Sequence, residues 1–385
     1  MKVLLLNYEF PPAGGGAGFA TYNIGRELIK LGVEVDVLTS YIDGENDGDV
    51  LDGMTVHRVP SWRKGIHDCG MLGAYSYVAF AAFKRWQLHR AKTYDLEHFF
   101  FSMPTGALTL LPPQYRKKPY IVSLRGSDVP GYDLFNERLE KIHGYLKPIT
   151  RKIWRNAKAV IALSNGLKDI AVKTDSVTPI GVIPNGIEEN LFCPPSETKD
   201  ATDPNRPIKL ITVSRLLERK GIHLLLDAIA TPPGLPVELE IIGTGSYEQA
   251  LKKQVRDLKL EDKVSFKGFV NRNTLPNFYQ KADIFVLPSM TESFGLVFAE
   301  AMSCELPVIG GRVGGVPELV RHETDGLLVD GGSTSSLRAA LEQLLNDREK
   351  IAEMGRSARQ RVLDGFTWSA VAKRYLETYQ NAIKQ

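Results

Sequence analysis

Cysteine is scarce in this chain. Three occur among 385 residues, at Cys69, Cys193 and Cys304, an odd number without metal-ligand spacing. They suit a reducing cytosol and a structural role. Long apolar runs are also missing: the longest, such as Val78 to Phe83, fall far short of the roughly 20 residues that span a bilayer. The apolar run after Lys2, Val3 to Leu6, stops at Asn7 and Glu9, so Met1 to Leu6 reads as a first buried strand and not as a signal peptide. There is no low-complexity tract and no short repeat. What remains, 43% hydrophobic and 24% charged, is the composition of a soluble globular enzyme. At this length one core does not suffice, and two domains are expected.

The net charge of +3 is small but unevenly spread. Between Arg58 and Lys158 stand 18 Lys and Arg against 7 Asp and Glu. Such asymmetry predicts that one face of one domain meets something anionic.

Strand and helix patterns alternate along the first half. Val3–Asn7, Val33–Thr39, Thr55–Val59, Leu96–Phe101, Tyr120–Leu124, Ala159–Ala162 and Gly181–Ile183 read as strands. A Gly-rich loop, Pro11 to Gly18, is followed by a helix from about Ala20 to Leu31 that Gly32 ends. The stretch Asn185 to Pro207, rich in Pro, Asn, Asp, Thr and Ser, reads as a linker. After it the rhythm restarts, with strands at Lys209–Val213, Glu238–Ile242, Val264–Lys267, Ile284–Leu287, Pro307–Ile309 and Gly326–Val329. Two α/β domains, each a Rossmann-like doubly wound parallel sheet, account for this. A last helix, about Trp368 to Lys384, is expected to cross back onto the first domain.

The chemistry concentrates in the second half. Glu292 and Glu300 lie eight residues apart, with a short apolar helix beginning near Phe294 between them. Eight helical residues rise about 12 Å, roughly the reach from a sugar ring to a nucleotide ribose. Glu292 would precede the helix start, where unpaired amides favour a phosphate, and Glu300 would lie two turns down, able to hold two ribose hydroxyls. Taken alone, the pair also fits an amphipathic helix with two solvated acids. Arg215 and Lys220 leave the first strand of the second domain at its carboxyl end, where doubly wound sheets bind ligands. A forked guanidinium and a compact ammonium suit a diphosphate leaving group, although a solvated basic turn reads the same way. The small-residue turn Gly243 to Ser246 and the loop Gly310 to Val316 open on the same edge. Three or four loops carrying two cations and two carboxylates fit a nucleotide-sugar site. The first Gly-rich loop lets amides approach a phosphate or sugar, or is simply a tight turn. It is not a dinucleotide fingerprint, because the second strand ends Leu38-Thr39-Ser40 without the ribose-binding acid, nor a Walker loop.

These motifs together resemble the retaining glycosyltransferases of family four, with the two-Rossmann (GT-B) architecture of the group 1 glycosyl transferases. The matching residues are Gly15-Gly16, Pro184-Asn185-Gly186, Arg215 with Lys220-Gly221, Gly243-x-Gly245, Phe266-x-Gly268, Glu292-x7-Glu300, Gly314 to Glu318 and Asp325 to Val329. The resemblance implies an acceptor-binding domain over 1–186, a donor-binding domain over 187–366, a cleft between them, and a helix 367–385 packing on the first domain. It implies that Arg215 and Lys220 hold the donor diphosphate and stabilise its developing charge, that Glu300 binds the ribose and that Glu292 contacts the sugar. Gly15, Gly16, Gly243 and the amides of Phe294, Gly295 and Leu296 would lie about the phosphates. Substitution on the same face of the sugar, with the departing phosphate helping to take the acceptor proton, needs neither a covalent nucleophile nor a metal or other cofactor.

Two positions bear on the acceptor side. The family often has His-Gly-Ser-Asp where this chain has Arg125-Gly126-Ser127-Asp128; Arg125 cannot act as a base but can stabilise phosphate or sugar oxygens. His98 matches a histidine often found near the acceptor cleft, or is a partly exposed loop residue. Asp47-Gly48-Asp49, which looks like a metal-binding Asp-x-Asp, sits in a polar run and reads as a solvated loop. The basic segment 58–158, with Val78 to Arg90, Arg116-Lys117-Lys118 and Arg151 to Arg155, would suit an anionic membrane surface, or a core with a solvated basic rim; no nucleic-acid motif accompanies it. The expectation is therefore a metal-independent retaining hexosyltransferase, cytoplasmic or peripheral at the inner face of the membrane. It would carry sugar from a nucleotide donor to a glycan, lipid-linked or small-molecule acceptor. A nucleotide-sugar 2-epimerase of the same architecture and a catalytically silent sugar-nucleotide-binding protein are the alternatives.

Overall fold

The computed structural model describes residues 1–66, 69–111, 118–133, 135–196 and 206–384. Arg116 and Lys117 of the basic segment lie outside the described residues. The chain divides into two compact units, Met1–Gly186 with Trp368–Gln385, and Ile187–Thr367.

In the first unit the order is β1 (Lys2–Leu6), α1 (Gly16–Lys30), β2 (Glu34–Ser40), β3 (Asp49–Leu51), β4 (Met54–Val59), α2 (Gly70–Ala91), β5 (Leu96–Phe100), β6 (Tyr120–Ser123), α3 (Glu137–Asn156), β7 (Ala159–Ala162), α4 (Asn165–Thr174) and β8 (Ile180–Val182). The strands pair as β3-β4-β2-β1-β5-β6-β7-β8. All neighbours are parallel except β3 and β4. The second unit runs β9 (Ile208–Val213), α5 (Ile222–Ala230), β10 (Val237–Ile242), α6 (Glu248–Asp257), β11 (Val264–Gly268), α7 (Pro276–Tyr279), β12 (Ile284–Leu287), α8 (Leu296–Ser303), β13 (Val308–Gly311), α9 (Val316–Leu319), β14 (Gly326–Val329), α10 (Thr334–Leu345) and α11 (Arg348–Gly365). Its parallel sheet is ordered β11-β10-β9-β12-β13-β14. Strand order reverses between β1 and β5 and between β9 and β12. Ligands of such sheets bind at the carboxyl ends beside these reversals.

Helix α12 (Trp368–Lys384) belongs to the first unit although it closes the chain. Trp368, Val371, Ala372, Tyr375, Tyr379 and Ala382 are buried at helical spacing. They join a cluster with Ala20, Ile24 and Leu28 of α1 and the sheet residues Val3, Leu5 and Phe100. Each large side chain buried here contributes about 1.5–3 kcal/mol of transfer energy.

Strand β5 is buried on both faces, as parallel strands covered by helices are. Its polar residues must therefore be paired, and alternation sends neighbours to opposite faces. Glu97 meets α2: Arg85 donates to both carboxylate oxygens at 2.6 Å, and His89 Nε2 lies 2.9 Å away. Burial works against the Glu97 charge, but Arg85 and His89 win and hold its pKa down at about 2. His98 meets α12: its Nδ1 is 2.7 Å from the Tyr379 hydroxyl and its Nε2 2.7 Å from Ser123 Oγ, which in turn is 3.1 Å from the Tyr375 hydroxyl. His98 was expected on the acceptor side or in an exposed loop; it is fully buried in a strand, because the last helix of the chain covers that face.

Other sequence readings also shift. Helix α1 starts at Gly16 and not near Ala20, so Gly16 and Gly18 open the helix. The acidic run before Asp49 leads into an edge hairpin. Asp47 is not simply solvated there: Lys84 Nζ donates to it at 2.6 Å and the Arg58 amide at 3.0 Å. The start of the supposed linker is packed, with Ile187 and Phe192 fully buried. Part of the basic charge is paired internally. Arg58 pairs with Glu45 and Arg155 with Asp175, while Trp154 is core and donates to Ser102 Oγ. No described helix is long and apolar enough to cross a membrane.

Burial, with the Arg125 charge second, pushes the His98 pKa well below its ordinary value. The native state holds this imidazole neutral, whereas the unfolded chain protonates near pH 6.5. Unfolded protein therefore binds more protons in acid. Stability is complete above about pH 6.5 and falls below it, by up to about 1.4 kcal/mol per pH unit. Calorimetric Tm values between pH 7.5 and 4.5 should decline in the wild type and flatten over that window in His98→Gln.

Candidate active site

The second unit's site grows from loops at the carboxyl ends of β9, β10, β12 and β13. After β9 the chain turns through Ser214 and Arg215 into a short 3-10 turn, Glu218–Lys220, and then α5. Arg215 is exposed, with no salt bridge among the described residues, as a side chain awaiting an anion would be. Lys220 Nζ donates to Glu292 Oε2 at 2.5 Å, with both side chains close to nine-tenths buried. Strand β12 ends at Leu287, and the loop after it carries Glu292. The Met290 amide donates to the Arg219 carbonyl at 2.8 Å, tying the two loops together. An ammonium and a carboxylate thus meet at the reversal between β9 and β12.

Backbone contacts set this geometry. Gly314 has φ +53°, and a Cβ there would lie 1.6 Å from the Glu292 carbonyl oxygen. The Gly315 amide donates to that same oxygen at 3.3 Å. Gly243, at φ +123°, would place a Cβ 1.9 Å from the Ser214 carbonyl oxygen. Both turns are glycine because the main chains of adjacent loops touch. Gly243 thereby shapes the loop that presents Arg215.

Helix α8 begins at Leu296 and not near Phe294, since Gly295 sits at φ +89°, ψ +60°. Glu300 therefore lies little more than one turn down. Phe294 is buried against Phe366 at 5.9 Å between rings, so only its main chain could serve a phosphate. The opening amides of α8 have no acceptor within the helix.

Glu300, expected as an open ribose ligand, is 2% exposed. Arg272 Nη1 donates to Oε1 and the Tyr279 hydroxyl to Oε2 at 3.0 Å. Arg272 also donates to Glu188 Oε2 at 3.2 Å and lies 4.8 Å over the Phe192 ring. Burial first, then Glu300, raises the Tyr279 pKa well above 10, so it remains a donor. Sequence reasoning missed Arg272, Tyr279 and Glu188. None lies in a recognisable motif, and an arginine in a polar loop gives no signal of a carboxylate 28 residues away.

In the first unit, Gly15 and Gly16 are exposed at the start of α1, and the Gly15 amide faces Glu9 Oε2 at 3.4 Å. Arg125 follows β6. It is only 7% exposed: Nη2 donates to Asn185 Oδ1 at 2.9 Å, and the guanidinium lies 5.4 Å over Phe100. Asp128 accepts from the amides of Ser102, Arg125 and Gly126 and makes no salt bridge to it; burial lowers the Arg125 pKa, while Tyr375 and the Asp128 charge act the other way. Arg125 is thus lodged inside its unit, beside the Tyr375 hydroxyl of α12. Among the described residues no group of three His, Cys, Asp or Glu gathers in a metal-like cluster.

Two doubly wound units, one with cation and carboxylate loops at its switch point, define the GT-B class of glycosyltransferase. The family model described as Glycosyltransferase Family 4 matches residues 14–191, and that described as Glycosyl transferases group 1 matches residues 196–361. A GDP-mannose-dependent alpha-(1-6)-phosphatidylinositol monomannoside mannosyltransferase of Mycolicibacterium smegmatis is 31% identical, over 97% of each chain. The sucrose-phosphate synthase of Thermosynechococcus elongatus shares the fold at a TM-score of 0.85 and 24% identity, over 100% of this chain and 99% of that one. The Anabaena protein HepE, solved with UDP-glucose, does so at 0.75 and 23%, over 99% of each. The chain belongs to the glycosyltransferase family 4 and acts as a glycosyltransferase on nucleotide sugars.

Gly314→Ala should push the Glu292 carbonyl aside and cost about 1–3 kcal/mol. The expected reading is a lowered Tm together with lost transferase activity, whereas Gly144→Ala, in helix α3 where a Cβ meets nothing within 4 Å, keeps its activity.

Proposed function

We propose that this protein is a retaining, metal-independent glycosyltransferase using a nucleoside-diphosphate sugar, with Arg215 and Lys220 stabilising the diphosphate as the glycosidic bond breaks. The observation that carries this is the meeting of Lys220 and Glu292 at the β9–β12 reversal, with Arg215 on the same loop as Lys220. Two cations supply the charge stabilisation that a developing diphosphate requires. Entry of the donor exchanges the Lys220–Glu292 pair for a Lys220–phosphate contact and leaves Glu292 to accept a sugar hydroxyl. The amides opening α8 favour the distal phosphate. No carboxylate is needed as a nucleophile, so the acceptor attacks from the face the diphosphate leaves. The Mycolicibacterium relative is named for a GDP-mannose donor and HepE was solved with UDP-glucose, which supports a nucleoside-diphosphate sugar here.

The first unit is read as the acceptor side, for a glycan, lipid-linked or small-molecule acceptor. Its exposed apolar residues support contact with an anionic membrane surface. Met71, Leu72, Tyr75 and Phe83 of α2 and Tyr145 of α3 are all exposed. A cavity of about 610 Å³ between these helices is lined by Met71, Tyr75, Ile142 and Tyr145 with two basic residues, Arg138 and Lys141, and one acidic, Glu137.

Thermal shift in EDTA with UDP, GDP, ADP and their hexose conjugates tests the donor: one nucleotide should raise Tm by mass action. Transfer should then proceed with retention, read by NMR of the product anomer. Arg215→Ala should weaken binding and cut kcat/KM by at least about a hundredfold, and Glu292→Ala should abolish transfer while leaving nucleotide binding partly intact. Unchanged turnover in either variant would sink this assignment, and binding without transfer to any acceptor would favour the silent alternative. Sedimentation with vesicles of anionic lipid should carry the wild type down, and Leu72→Glu with Tyr75→Glu should stay in solution. Equal sedimentation of both removes the membrane from the proposal.

A further inference from the structure

Glu300 cannot be the freely exposed ribose ligand that its sequence position suggests, yet its enclosure is specific. One donor reaches each oxygen: the Arg272 guanidinium at Oε1 and the Tyr279 hydroxyl, 3.0 Å away, at Oε2. A carboxylate accepts about four hydrogen bonds, so roughly two acceptor directions remain, the number that the two neighbouring hydroxyls of a ribose require. Both donors are themselves fixed. Tyr279 is fully buried, packed on Phe192 and Phe285. Arg272 is anchored at Glu188 Oε2 and over the Phe192 ring. Glu300 is thus locked in one rotamer, with its lone pairs directed before any ligand arrives.

We propose that Arg272 and Tyr279 are positioning residues for the donor ribose: they aim Glu300 at the ribose hydroxyls and set the preference for a ribonucleotide. The inference rests on the donor-site reading given above. Neither side chain is asked to touch the ribose; each acts through Glu300. Orientation by a supporting shell lowers the cost of ordering the carboxylate on binding. Loss of either tether should therefore be felt as lost discrimination between hydroxyl and hydrogen on the sugar. The bland competitor is that Glu188, Arg272 and Glu300 form a buried ion cluster that only joins the segment after Ile187 to α8. That role predicts lower stability but an unchanged preference.

Affinities of the full-length protein for UDP, GDP and ADP, each beside its 2′-deoxy counterpart, separate the two. The wild type should favour the ribose form of its nucleotide by about tenfold or more, the worth of one hydrogen bond to a charged group. In Tyr279→Phe, which deletes one hydroxyl and keeps the packed ring, the preference should fall to about threefold or less. Arg272→Met should do the same, with partial recovery in Arg272→Lys, which keeps the charge without the fork. Arg272→Met leaves the Glu300 carboxylate buried without its counter-charge and risks unfolding, so Tyr279→Phe is the decisive variant. In turnover, KM for the donor should rise with kcat little changed, since the ribose is remote from the reacting bond. A wild-type-sized preference in Tyr279→Phe, or an equal loss for ribose and deoxyribose forms, overturns the proposal. If no nucleotide binds the wild type, the donor-site reading beneath it falls as well.

Discussion

Main-chain contact at the carboxyl edge of the second sheet is the constraint on which the site depends. The loops after β9, β10, β12 and β13 approach so closely that a single methyl at Gly314 or Gly243 would overlap the carbonyl of Glu292 or Ser214. Loops held backbone to backbone have little freedom to drift. Lys220 and Glu292, 72 residues apart in sequence, meet because their loops are seated in this way. Arg215 is left exposed on the same framework. Tight seating of the loops therefore fixes one cation, Lys220, against a carboxylate and leaves the other, Arg215, without a salt bridge among the described residues.

Burial of charge is the second organising constraint. A parallel sheet covered on both faces leaves no water for its polar side chains, so each must find a partner inside the protein. Glu97 finds Arg85 and His89 on one face of β5, and His98 finds Tyr379 and Ser123 on the other. Glu300 finds Arg272 and Tyr279. This reverses the impression given by charge counting: Arg58, Arg85 and Arg155, all within the basic segment, face carboxylates of the same unit. Arg125 differs in having no direct carboxylate partner: it is a nearly buried guanidinium held by the Asn185 amide, a ring face and the Tyr375 hydroxyl, with the Asp128 charge nearby.

Strand positions were legible because fully buried parallel strands are short runs of Val, Ile and Leu, and Ile284–Leu287 and Ala159–Ala162 coincide with the predicted limits. Boundaries failed where conformation overrode composition. Gly16 and Gly18 enter α1 although glycine is a weak helix former, and α8 waits for Leu296 because Gly295 is left-handed. Candidate residues within a dense motif, such as Arg215, Lys220 and Glu292, are visible in the chain alone, and the structure brings Lys220 and Glu292 together. Arg272 and Tyr279 could not, because they owe their place to contacts with a distant helix.

Two α/β units, the candidate cations and carboxylates, and the family to which the chain belongs are all written in the order of residues. Those properties reside in local periodicity and in motifs whose members lie close together. Tertiary structure alone decided which charges are spent and which remain available. It paired Lys220 with Glu292, enclosed Glu300 between two donors, turned Arg125 inward, and placed His98 beneath a helix 281 residues later in the chain. Pairing and burial are relations between distant segments, and no single stretch of sequence contains them.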